Sequence, residues 1–100
     1  MSAPIWFAGV DLDALNTRQA GDIKGRLGIE ITAFGPDWLQ GRMPVDACTR
    51  QPMGIFHGGA SVVLAETLTS VAANFCVNRD QAYCVGQEVN ANHLRSTSDG

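Results

Sequence analysis

The chain has 100 residues, 45% of them hydrophobic and 17% charged, with a formal net charge of −3. That composition bounds it to one small globular domain. Seven basic residues against ten acidic ones argue against a nucleic-acid surface. No uninterrupted apolar stretch approaches the ~20 residues of a membrane span.

In chain order, "MSAPIWFAGVDLDALN" carries a short apolar patch with no basic region ahead of it, and Asp11 and Asp13 follow at once. That is not the pattern of a signal peptide. Cys48, Cys76 and Cys84 show no metal-like spacing, so reduced thiols in a cytoplasmic protein are the simplest account. "DLDALNTRQA" (11–20) places Leu12 and Leu15 on one face behind a capping Asp11 or Asp13, which predicts a short surface helix. "LGIEITAF" alternates, ends at Gly35-Pro36-Asp37, and is followed by the alternating "WLQGRMPV". Together they predict an antiparallel hairpin.

Residues 46–59 form a loop punctuated by Pro52 and several glycines. From Ala60 to about Val77 nothing breaks a helix, and most of its circumference is apolar, which predicts a central, enclosed helix. "AYCVGQEVNANHLR" (82–95) alternates again and predicts a third strand; "STSDG" reads as a turn. Three strands cover such a helix poorly, so the single domain 1–100 looks truncated at its C-terminal end.

Two features carry chemistry. His57-Gly58-Gly59 stands where the long helix begins, and N–H groups in a first helical turn lack intrahelical partners. A glycine there admits a ligand oxygen to the backbone, so the turn can hold the carbonyl of an ester or thioester, or the glycines can simply shape the turn. Glu66 sits among Val62, Val63, Leu64, Ala65 and Leu68, where burying an unpaired carboxylate is costly. It is either a base or nucleophile kept ionised by hydrogen bonds and water, or a residue on the helix's one solvated stripe. Ser70, at i+4, shares its face.

Eight residues separate Gly58 from Glu66, about 12 Å of helix, which a side chain and one water do not bridge. If both serve one reaction, each works with its counterpart in a second subunit, giving two composite sites in a symmetric dimer. Gln51 and His57 flank the loop and can donate to a carbonyl or orient a water. His93 and Arg95, at the end of the third strand, either meet a phosphate or face solvent.

"MPVD…TRQPMGIFHGGASVVLAETLTSVA" followed by "VGQEVNANHLR" resembles the hotdog-fold acyl-CoA thioesterases of the PaaI-like group. It lies nearest the branches acting on 1,4-dihydroxy-2-naphthoyl-CoA in menaquinone synthesis and proofreading enterobactin synthesis. The resemblance runs from about Leu12 to Arg95. It implies an α+β hotdog fold, an antiparallel sheet wrapped around one central helix, with homodimers or tetramers sharing active sites. It implies hydrolysis of an acyl-CoA, aromatic in this branch, with Glu66 as nucleophile or general base and the Gly58 amide polarising the carbonyl. Gln51 and His57 would lie beside that amide and Ser70 near the attacking water; Gly59, His93 and Arg95 are read from the sequence as candidate substrate-binding residues. No metal or organic cofactor is implied. Members of the group continue past the position of Gly100 through further strands. That leaves a non-catalytic acyl-CoA-binding or dimerisation module, or action on an aryl carrier protein, as the alternatives.

Overall fold

The computed structural model describes residues 3–18 and 21–100. Its elements run α1 (Leu12–Arg18), α2 (Ile23–Arg26), β1 (Glu30–Phe34), β2 (Leu39–Arg42) and α3 (Gly58–Phe75). α1 occupies the segment predicted as a surface helix, whose last two positions, 19 and 20, lie outside the described residues. α2 was not foreseen. Asp22 caps it by accepting the Lys24 N–H at 3.0 Å, and the buried Lys24 ammonium donates to the Leu15 carbonyl at 3.1 Å. A four-residue helix with Gly25 inside it offers no periodicity to read.

β1 and β2 form the predicted antiparallel hairpin, pairing Glu30 with Arg42, Ile31 with Gly41, Ala33 with Gln40 and Phe34 with Leu39. The register shifts between Ile31 and Ala33, which leaves Thr32 as a bulge. Ile31 is fully buried, and its N–H and C=O face away from β2. Asn16 satisfies both, accepting from the N–H and donating to the C=O at 2.9 Å each. A buried backbone pair is thereby supplied by one side chain of α1. The N-terminal segment ties the hairpin's turn to the end of the long helix, with the Trp6 indole N–H on Gly35 O at 2.8 Å and Phe7 N–H on Phe75 O at 2.7 Å.

β2 lies against α3. A Cβ at Gly41 would stand 2.6 Å from Leu68 Cδ2, so glycine permits this close approach of strand to helix. α3 starts two residues before Ala60 and ends two before Val77. It is not enclosed: among its residues only Ala60 is buried, while Val62, Val63, Leu64, Leu68 and Val71 are half-exposed. A helix of 18 residues is about 27 Å long, and two strands side by side span only ~10 Å.

The third predicted strand is corrected. Residues 82–95 carry no strand ladder and meet no partner strand among the described residues. They run instead antiparallel along α3. The Asn74 side chain holds the backbone of Cys84, accepting at 2.8 Å and donating at 2.9 Å; Gly86 then rests on Glu66, and His93 on Gly58. Gly86 and His93, an odd number of residues apart, both address the helix, which a regular pleat forbids. The last residues fold back on the loop before α3, with Phe56 N–H donating to Thr97 O at 2.8 Å.

Candidate active site

The loop entering α3 is built tightly. Fully buried Thr49 donates from Oγ1 to Pro44 O at 2.8 Å and accepts the Asp46 N–H at 3.0 Å. Arg50 and Phe56 bridge, the Gln51 N–H reaches Ile55 O at 2.8 Å, and Gly54 turns the chain at φ +82°. The His57 N–H then closes on Thr49 O at 2.7 Å. His57 is the N-cap of α3: its Nδ1 accepts the Gly59 N–H at 2.8 Å. The cap explains why both glycines belong to the helix rather than to the loop ahead of it.

Capping also fixes the chemistry of three groups. With Nδ1 accepting, neutral His57 carries its proton on Nε2 and donates from that atom alone. The Gly59 N–H is committed to the cap. The Gly58 N–H has no acceptor among the described residues. Gln51 is similarly divided: its Oε1 accepts the Met53 N–H, which leaves the amide NH2 to donate.

Gln51, His57, Gly58, His93 and Arg95 line one cleft of about 620 Å³, together with Phe56 and Thr97. Gly59 does not line it. Glu66 and Ser70 lie elsewhere, sharing a separate cleft of about 330 Å³ with Ile23, Val63 and Thr67. Val63, Glu66, Thr67 and Ser70 follow the i, i+3, i+4, i+7 spacing of one helix face. Glu66 is half-exposed, and no described residue hydrogen-bonds its carboxylate; Ser70 shares its cleft without bonding it. Of the hydroxyls near Glu66, that of Thr69 turns back onto the helix, 2.9 Å from Ala65 O.

Three residues near the clefts escaped the sequence reading. Ser61 Oγ lies 2.7 Å from His93 Nε2, Asn74 anchors the extended segment, and Gly86 abuts Glu66. Ser61 stands 32 positions from His93, and no spacing rule links them. Among the described residues no three His, Cys, Asp or Glu side chains converge to hold a metal ion, and no helix is long and apolar enough to cross a membrane.

A long helix packed against an antiparallel hairpin, its first turn opening onto a cleft, is the α+β hotdog arrangement of thioesterases. The family model described as "Thioesterase superfamily" matches residues 53–100. The chain is 48% identical over 96 residues to the 1,4-dihydroxy-2-naphthoyl-CoA hydrolase of Escherichia coli, covering 96% of this chain and 70% of that protein. It is 47% identical to the proofreading thioesterase EntH of Cronobacter turicensis, covering 96% and 69%. The crystal structure of a mutant thioesterase from Pseudomonas aeruginosa overlays with a TM-score of 0.92 at 51% identity, covering 96% of this chain and 69% of that one. The chain belongs to the thioesterase superfamily. It spans about two thirds of the length of the curated relatives it matches.

Proposed function

We propose that the protein hydrolyses acyl-CoA thioesters to the free acid and CoA, with aromatic acyl groups as its substrate class. The observation that carries this reading is the free N–H of Gly58 at the head of α3, beside a cleft lined by Gln51, His57 and His93. The thioester carbonyl accepts from the Gly58 N–H, and the helix terminus stabilises the oxyanion as it forms. Gln51 Nε2 and His57 Nε2 are donors on the same cleft. The carboxylate comes from Glu66 of a second subunit, since each chain keeps the two groups on different clefts. Glu66 either attacks the carbonyl carbon, expelling the thiolate and leaving an anhydride that water opens, or takes a proton from a water that attacks directly. Ser70 lies on the carboxylate's cleft, where that water would stand.

The name of one relative, a 1,4-dihydroxy-2-naphthoyl-CoA hydrolase, supports the aromatic class. Acyl-CoA chemistry and unpaired Cys48, Cys76 and Cys84 fit a cytoplasmic protein, assembled as a homodimer or a dimer of dimers. A second reading, an acyl-CoA-binding or dimerisation module without turnover, is favoured by one observation: the Glu66 carboxylate has no hydrogen-bonding partner among the described residues. Release of thiol from benzoyl-CoA, compared with release from benzoyl groups on an aryl carrier protein, tests the proposal. Turnover lost in Glu66→Ala supports it; turnover that survives the substitution overturns the mechanism, and none with any thioester favours the module.

A further inference from the structure

Ser61 stands one turn into α3 and His93 lies across its first residue. A Cβ at Gly58 would come within 2.9 Å of His93 Cε1 and 3.1 Å of its Nδ1, so the imidazole rests directly on the glycine. Ser61 Oγ is 2.7 Å from Gly58 O and 2.7 Å from His93 Nε2. A serine hydroxyl has one proton. Given to the imidazole, it would leave two oxygens with opposed lone pairs at 2.7 Å. The proton therefore goes to Gly58 O, and Ser61 Oγ accepts from His93 Nε2–H. His93 Nδ1 is then an acceptor, with no hydrogen-bonding partner among the described residues.

His57, on the same cleft, is fixed the other way round: its Nδ1 is taken by the Gly59 N–H, and its Nε2–H is the group left to bind a ligand. The cleft thus offers a donor at His57 and an acceptor at His93. A phosphate, which has only acceptors, suits His57 and not His93 in this state. A secondary amide, with one C=O and one N–H, suits both.

We propose that Ser61 sets His93 as a hydrogen-bond acceptor, and that His57 and His93 together bind an amide of the substrate's thiol arm. The ligand's identity rests on the thioesterase reading above. A pantetheine arm carries such amides and is common to CoA and to carrier proteins. Ser61 is a positioning residue, acting through His93. The phosphate reading of His93 gives way to an amide reading, and Arg95 is left as the cation on that cleft.

The test is binding, read with ring-nitrogen NMR of the two histidines. Pantetheine is titrated against an ether-linked thiol of matched length that lacks the amides. His93 should be protonated on Nε2 in the free protein, and pantetheine should shift its Nδ1 resonance and bind about tenfold tighter than the ether, one hydrogen bond's worth. Ser61→Ala should bring that ratio near one, and Ser61→Thr should keep it. His93 protonated on Nδ1, no preference for the amide, or a preference that survives Ser61→Ala would each overturn the proposal. Benzoyl-CoA hydrolysis is measured on the same preparations. Amide preference without turnover supports this inference and sinks the hydrolase, while turnover without amide preference does the reverse. Tighter binding of CoA than of pantetheine assigns the arm to CoA; a gain only with a pantetheinylated carrier protein assigns it to the carrier.

Discussion

Gly86 lies against the carboxylate of Glu66: a Cβ there would overlap Oε1 and stand 3.0 Å from Cδ. The extended segment after α3 thus packs directly against the Glu66 side chain, and it does so only because residue 86 has no side chain. Asn74 sets the height of that contact by holding Cys84 two residues earlier.

Substituting Gly86→Ala should therefore act on catalysis more than on folding. Glu66 is long and half-exposed, so it swings aside rather than unfolding the helix. With Glu66 in its proposed role, displacing the carboxylate by about 1 Å costs on the order of 10²-fold in rate. Steady-state kinetics should show kcat reduced by about that factor with KM little changed and the circular dichroism of the parent. An unaltered kcat would mean that Gly86 does not position the carboxylate.

His57 does two jobs that substitution separates. His57→Ala removes the cap of α3 and should cost about 1 kcal/mol of stability, seen as a lower thermal midpoint. His57→Asn keeps an acceptor for the Gly59 N–H but removes the Nε2–H donor. It should hold the thermal midpoint of the parent while turnover falls. Equal losses of stability in both variants would show that the cap contributes nothing.

Asn16→Ala strips the outer edge of β1. Ile31 is 1% exposed, so its N–H and C=O cannot recruit bulk water. Losing partners at buried groups costs about 1–3 kcal/mol each. Denaturant unfolding should show a shifted midpoint with an unchanged slope, and no shift would place water at that edge.

The elements written in local periodicity were readable before the fold was known. The hairpin over 27–45 alternates around Gly35-Pro36-Asp37, and the long helix is apolar without a breaker. What was missed depends on distant partners. The strand predicted over 82–95 has strand-like alternation, but a strand exists only with a ladder, and the chain leans on α3 instead. The helix start was misjudged because histidine is an uncommon N-cap, and two glycines after it read as loop. The division of the proposed site into two halves was legible from helix rise alone, since it needs only the spacing of Gly58 and Glu66. The Ser61–His93 contact was not, because it joins a helix to the far end of the extended segment.

The central claim is that Gly58 and Glu66 serve each other across two subunits. Glu66→Ala and Gly58→Val, each purified and shown to be folded, should both be inactive alone. Mixed in equal amounts and reassembled, half of the dimers are hybrids, and each hybrid holds one intact site of two. Hydrolysis of benzoyl-CoA should return to roughly a quarter of the parent's rate, as those statistics require. Confirmed hybrid dimers with no recovered activity would contradict the shared site.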